Sequence, residues 1–249
     1  MKAIIIGAGI GGLTAALALR SRGIDVAVYE RAAELRDVGA GISLWLNAIR
    51  GLRQLGLGEA ILKRSTPYAR TAILRADGRV IVESSLDDFV HPGSCADGAA
   101  MVVFHRADLL RTLADPVRDA IHLDRTCTGF AVRSDRVVAR FHDGSEAEAD
   151  VLIGADGIRS AIRAQLHPGE KTRYLGYTAW RCVARVKVAT PQVSETWGCG
   201  QRFGIVPMQG DSVYWFSTQN TPEGQTDPPG NRANPCCGCS ETGMLRFQS

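Results

Sequence analysis

No stretch of this sequence stays apolar long enough to cross a bilayer. Its opening MKAIIIGAGIGGL has one Lys, a short apolar run and no small-residue cleavage site. Neither a signal peptide nor a membrane span is expected, and the chain reads as cytoplasmic. Charge of one sign is scarce as well: 29 Lys and Arg against 26 Asp and Glu leave +3 over 249 residues. That excess is too small to point to nucleic acid or a membrane surface as partner. The five histidines, His91, His105, His122, His142 and His167, are scattered without ligand spacing or an acid–base dyad. There is no nucleophile elbow, and without a C-x-x-x-x-C pair or a second G-x-G-x-x-G a disulfide reductase is not expected. Of seven cysteines, Cys95, Cys127, Cys182 and Cys199 stand alone. Cys236, Cys237 and Cys239 cluster without a His or a fourth Cys at zinc spacing. No metal site is expected, and the thiols default to the reduced state.

The apolar content, 45%, supports one large domain or two small ones. Lys2–Ile6 is an Ile-rich run suited to a buried parallel strand. Leu13–Arg20, rich in Ala and Leu, predicts a helix, with Gly23 just past its end. Asp25–Glu30 predicts a second strand, giving a βαβ opening. Asn47–Leu57 and Arg106–Ala114 have helical spacing. Thr71–Ser84 and Val132–Glu148 read as hairpins turning at Asp77-Gly78 and near Asp143-Gly144. Val151–Gly154 is a further buried strand, and a helix starts at Ser160. After Pro168 longer strands follow at Thr178–Val188, Arg202–Pro207 and Ser212–Gln219. From Thr221 the chain is Pro, Gly, Asn and Cys with little periodicity. The expected division is 1–170, 171–220 as a partial sheet, and 221–249 as a disordered or foreign tail.

The most informative feature is the loop between the first strand and helix. Gly7, Ala8, Gly9, Ile10, Gly11 and Gly12 fit G-x-G-x-x-G. Gly7 permits the tight turn, Gly9 lets backbone approach a pyrophosphate, and Gly12 allows close helix–strand packing. The helix presents unpaired N–H groups and its positive dipole end to phosphates. Glu30 ends the second strand, where a carboxylate can accept bonds from both ribose hydroxyls. Its charge opposes a 2′-phosphate at that position. Together these predict dinucleotide binding without choosing between NAD and FAD.

Four segments go further: GAGIGGLTAALAL with VYER, VGAGISLWLNAIRGLRQLGL at Val38–Leu57, FHRADLLRTL at Phe104–Leu113, and DVLIGADGIRSAIR at Asp150–Arg163. In this order they resemble the group A flavoprotein monooxygenases, the family of salicylate hydroxylase, p-hydroxybenzoate hydroxylase, zeaxanthin epoxidase and urate-type hydroxylases. The likeness covers most of Met1 to Asn220. It implies an α/β fold, a Rossmann-like FAD-binding domain of the p-hydroxybenzoate hydroxylase type, with an incomplete β-sheet substrate domain. It implies FAD as cofactor, NAD(P)H as reductant, and O₂ with a small aromatic or related ring as substrates. The ring is hydroxylated through a C4a-hydroperoxyflavin, so no catalytic side chain is required.

The resemblance also assigns residues. Arg31 falls beside the adenine and its phosphate. Arg106 opens the helix that flanks the flavin's ribityl and phosphate chain, where a permanent cation suits a diphosphate. Asp156-Gly157 supports the diphosphate, and Asp at such a turn also caps the next helix. Gly39-Ala40-Gly41 lets backbone pass close to the flavin or is a plain turn, with Gly41 the cofactor candidate. GYTAWRCVARVKV, RFGIVPM and DSVYWFSTQ look like three strands roofing the pocket. Among them Arg181, Arg202 and Tyr214 are substrate candidates, and an Arg there favours an anionic ring such as an aromatic carboxylate. Trp180, Trp215 and Phe216 read as core or pocket wall.

Family members continue beyond this length through a G-D-A-A-H-type segment, so the chain is expected to lack the C-terminal part of the fold. Gly210-Asp211, between two strands, is a hairpin turn and not that segment. Two alternatives stand beside the monooxygenase: a truncated, non-catalytic FAD- or nucleotide-binding fragment, and an NAD dehydrogenase built on the same βαβ unit. Arg106, Asp156-Gly157 and the roof-like strands disfavour the second.

Overall fold

Continuous Ile and Val runs bury best in the middle of a parallel sheet, and Lys2–Ile6 and Asp25–Tyr29 do so here, whereas Val151–Gly154, expected to be buried, is a partly exposed edge strand. A computed structural model of the chain describes residues 1–35, 40–85, 100–187, 192–225 and 245–248. Gly39, His91, Cys95 and the Cys236, Cys237 and Cys239 cluster lie outside these residues, as does most of the expected tail. The chain divides into two units. The first comprises Met1–Arg36, Leu55–Leu57 and Leu109–Thr172; the second comprises Asp37–Gln54, Gly58–Asp108 and Arg173–Ser249. A single boundary near residue 170 therefore describes only the last passage between units, because two earlier segments already belong with the second.

In the first unit four parallel strands run in the order Val151–Gly154, Lys2–Ile6, Asp25–Tyr29, Ile121–His122. The helix Ile10–Arg20 connects Lys2–Ile6 to Asp25–Tyr29. Ile4, Ile5, Leu13 and Val28 are fully buried. An antiparallel sheet of Glu146–Ala149, Arg136–Phe141 and Cys127–Arg133 adds Ala139, Phe141 and Ala149 to a core shared with Ile4, Ile6 and Ile162. Arg20 forms a two-pronged pair with Asp119, which raises the pKa of the Arg and lowers that of the Asp through their hydrogen bond.

In the second unit seven strands run in the order Leu245–Gln248, Tyr177–Arg185, Ser212–Asn220, Gln201–Met208, Val193–Gly198, Arg70–Arg75, Val80–Ser85. Only Val193–Gly198 and Arg70–Arg75 pair in parallel. A smaller sheet of Gly41–Trp45, Met101–His105 and Thr66–Tyr68 completes the unit. Its core gathers Ala40, Tyr68, Met101, Val103, Val206 and Tyr214. The helix expected over Asn47–Leu57 is present as Leu46–Gln54, ending three residues early, and a second helix, Gly58–Arg64, follows it. Gly56, at φ 79, turns the chain where helical backbone cannot continue. Leu245–Gln248 is a strand along Tyr177–Arg185, although its surroundings in sequence show no strand periodicity.

Candidate cofactor and ring-binding sites

The glycine loop and the Asp156 turn follow adjacent parallel strands at their carboxyl ends, where open α/β sheets bind ligands. Gly7 N–H donates to the Tyr29 carbonyl at 2.7 Å and Ala155 N–H to the Ile6 carbonyl at 2.8 Å, locking the two loops to the sheet. The glycines answer to different demands. A Cβ on Gly12 would lie 1.9 Å from the Gly7 carbonyl oxygen, and one on Gly7 would lie 2.4 Å from the Ala155 oxygen. Both are needed for backbone packing alone. A Cβ on Gly9 or Gly11 would meet no protein atom within 4 Å. Gly9 is the N-cap of the Ile10–Arg20 helix, in extended conformation, with no side-chain cap and no acidic residue in the first turn. Protein packing gives no reason for glycine at Gly9, while the close approach of a pyrophosphate to that helix end does. Ala8 is buried, Ile10 half-buried and Gly11 exposed. The loop thus fits a dinucleotide diphosphate.

Glu30 is half-buried. One carboxylate oxygen, Oε2, accepts from Ala8 N–H at 2.8 Å; the other, Oε1, accepts from Ala32 N–H at 3.0 Å. The residue expected to meet the ribose therefore also ties the glycine loop to the second strand. Its remaining lone pairs are still able to accept from hydroxyls. Arg31 is exposed. Tyr29 stacks on His122 at 4.9 Å and contacts Phe141 at 4.6 Å; burial raises its phenol pKa.

Asp156 is the hub of its turn. Ser160 Oγ–H donates to Oδ1 at 2.6 Å and Ala161 N–H to Oδ2 at 2.7 Å, while Ser160 accepts from Arg163 N–H at 2.9 Å. The expected capping of the Ala161–Leu166 helix is what these bonds perform. Gly157 has φ 81 and open space around it.

The remaining candidates belong to the second unit. Arg106 is half-buried and opens the Arg106–Ala114 helix; its N–H donates to the Ala40 carbonyl at 2.8 Å. Gly41 is a glycine for a reason internal to the unit: a Cβ there would lie 2.5 Å from the Tyr214 ring. Tyr214 is only 8% exposed and belongs to the core, 5.9 Å from Phe216. Burial raises the pKa of the Tyr214 phenol, and the Arg181 charge works against that rise.

Strand register puts Arg181, Arg202 and Tyr214 on one face of the seven-stranded sheet. Arg181 lies opposite Phe216, Tyr214 opposite Val206, and Arg202 opposite Thr218. At one end of that face is a cavity of about 390 Å³ lined by Tyr177, Trp197, Gln201, Arg202, Thr218 and Asn220 with two glycines. Glu195 borders it. Glu195 Oε1 accepts from Trp197 Nε1–H at 2.8 Å and lies 3.4 Å from Arg202. Of these, only Arg202 was legible as a candidate in the sequence. For Glu195 and Trp197 the available signal was the alternation of VSETWG in Val193–Gly198.

Parallel strands with a glycine loop, a carboxylate at the end of the second strand and a capped turn on the neighbouring strand define a dinucleotide-binding fold. The chain belongs to the FAD binding domain family, which it matches over residues 1–233. It is 42% identical over 235 residues to an aurachin C monooxygenase/isomerase of Stigmatella aurantiaca, with 93% of this chain and 60% of that protein covered. It is 35% identical over 231 residues to an FAD-dependent urate hydroxylase of Klebsiella pneumoniae, with 90% and 59% covered. The crystal structure of Klebsiella pneumoniae HpxO complexed with FAD and uric acid superposes with a TM-score of 0.86 at 29% identity, over 100% of this chain and 68% of that one. These relatives are of the aromatic-hydroxylase group that the sequence segments indicated. The chain spans about 60% of the length of the curated relatives it matches.

Proposed function

We propose that the chain binds FAD, with the ADP half on the Gly7–Gly12 loop and Glu30, and serves an NAD(P)H-dependent monooxygenase that hydroxylates a small aromatic or related ring. The observation that carries this reading is the loop itself. Gly9 caps a helix that has no acidic residue in its first turn, its surroundings are open, and the Glu30 carboxylate is anchored beside it. The helix N–H groups bind the diphosphate, Glu30 accepts from the ribose, and Asp156 holds the neighbouring turn in shape. Arg31 and Arg106 are the proposed cationic contacts to the cofactor, and Gly157 gives the Asp156 turn its positive φ. Arg181, Arg202 and Tyr214 are the proposed substrate-side residues. When bound, FAD supplies the redox chemistry, taking two electrons from NAD(P)H and using O₂ to deliver one oxygen atom to the ring and one to water. The side chains bind, orient and exclude water; none is required as an acid or base.

The test is reduction and oxygen transfer. Anaerobic NAD(P)H should bleach the flavin band of the FAD-loaded chain in the presence of a hydroxylated ring substrate. Admitting ¹⁸O₂ should restore the band and place one labelled oxygen in the ring. A flavin that NAD(P)H never bleaches, with every ring substrate offered, would contradict the reading.

A further inference from the structure

We infer that Gln165 is a positioning residue for the cofactor: by clamping the Ala161–Leu166 helix to the Cys127–Arg133 strand it holds the Asp156-Gly157 turn against the glycine loop. This rests on the proposed binding of FAD. The side-chain amide of Gln165 pairs with both backbone groups of Phe130. Phe130 N–H donates to Oε1 at 2.8 Å, and Nε2–H donates to the Phe130 carbonyl at 2.6 Å. The amide thus makes the two bonds that a neighbouring strand would make. The preceding residue, Gly129, is buried, and a Cβ there would lie 2.7 Å from Gln165 Oε1. Glycine at 129 and glutamine at 165 therefore fit as a pair. The strand bulges just before them, since Gly129 pairs with Arg140 but Cys127 with Phe141, which leaves Thr128 as an extra residue.

The helix has 6 residues, too few to persist by propensity, so what holds its two ends decides where it sits. Asp156 and Ser160 hold the first end, and Gln165 holds the last. Between them Ile162, 4% exposed, covers Gly154, where a Cβ would lie 3.0 Å from the Ile162 side chain. The turn follows directly from Gly154. Ala155 N–H donates to the Ile6 carbonyl at 2.8 Å, and the Ala155 oxygen lies so near Gly7 that a Cβ on Gly7 would come within 2.4 Å of it. Contacts run unbroken from Phe130 through Gln165, the helix and Ala155 to the glycine loop, and Gln165 acts through them rather than on the ligand. With the last end of the helix released, the turn spends part of its time in positions that do not meet the diphosphate. Apparent affinity then falls by the fraction of time lost. Gln165 is exposed, so water competes for each of its bonds and keeps the effect to a few fold.

The test is a double-mutant cycle in the full chain, read by titration with FAD and ADP and by hydrogen exchange of the apo-chain. Gln165→Ala should weaken FAD and ADP alike, about fivefold, and speed exchange of the Ala161 N–H, which bonds Asp156, by about fivefold. Gln165→Asn, one methylene too short for both bonds, should behave as Gln165→Ala does. Gly129→Ala drives the amide off Phe130 and should reproduce the loss of affinity. Added to Gln165→Ala it should weaken FAD no further, because the clamp is already gone. Val117→Ala, a core truncation in the same unit, controls for general destabilisation. It should lower the melting temperature and leave both affinities within about twofold. Unchanged FAD affinity in Gln165→Ala, additive losses in the double variant, or an equal loss in Val117→Ala would overturn the inference. If wild type binds neither FAD nor ADP, the cofactor reading fails by itself, and exchange at Ala161 decides the clamp: faster exchange in Gln165→Ala supports it, and unchanged exchange overturns it.

Discussion

Gly9 and Gly12 share one loop, yet alanine should do opposite things at the two positions. At Gly12 the new Cβ strikes the Gly7 carbonyl at 1.9 Å, a backbone atom with no freedom to yield. Gly12→Ala should destabilise the apo-chain by at least about 1–3 kcal/mol, read as a lowered melting temperature. At Gly9 the Cβ enters open space on extended backbone, so Gly9→Ala should cost less than about 1 kcal/mol, the ordinary N-cap difference. Its effect should instead fall on the cofactor, weakening FAD about tenfold or more. Glu30 carries both kinds of role. Removing it leaves the Ala8 and Ala32 N–H groups without their acceptor. Glu30→Ala should therefore lower apo-chain stability by about 1–3 kcal/mol as well as weaken FAD; an unchanged apo melting curve would assign Glu30 to the ligand alone. The motif was legible residue by residue in the sequence. The anchoring of Glu30 to Ala8 was not, because nothing in a one-dimensional spacing says which backbone N–H a carboxylate reaches.

Among the elements, the Ala161–Leu166 helix depends on its cap more than on its length, since a helix this short cannot stand by propensity. Asp156 and Ser160 supply that cap, and Asp156→Ala should cost about 1–2 kcal/mol in denaturant unfolding. Tyr68, on Thr66–Tyr68, donates to the Pro207 carbonyl, and burial pushes its pKa up to about 12. A raised folded pKa favours the neutral phenol, so its contribution is complete below about pH 10 and is lost as pH rises from about 10 to 12. Ultraviolet titration should show a late tyrosine that Tyr68→Phe removes. Elements with a strong local signature were readable: Lys2–Ile6, the Arg106–Ala114 helix, and the turns at Asp77-Gly78, Asp143-Gly144 and Gly210-Asp211. Gly41–Trp45, Met101–His105 and Val193–Gly198 were not, because they are short and owe their existence to distant partners. Val193–Gly198, for instance, pairs in parallel with Arg70–Arg75.

At the level of the whole molecule, the sequence foretold a nucleotide-binding unit followed by a sheet-rich one, and the chain divides into two units. Their interleaving was not foretold, because contacts between segments far apart in the chain set it: Asp37–Gln54 and Gly58–Asp108 fold with Arg173–Ser249. The measurement that bears most directly on the proposal is equilibrium titration of the apo-chain with FAD, followed by flavin fluorescence, with ADP and riboflavin as competitors. Binding through the Gly7–Gly12 loop requires one FAD per chain, displacement by ADP, little effect of riboflavin, and loss of affinity in Gly9→Ala at unchanged stability. Absence of FAD binding by the folded chain, or competition by riboflavin as strong as that by ADP, would contradict it.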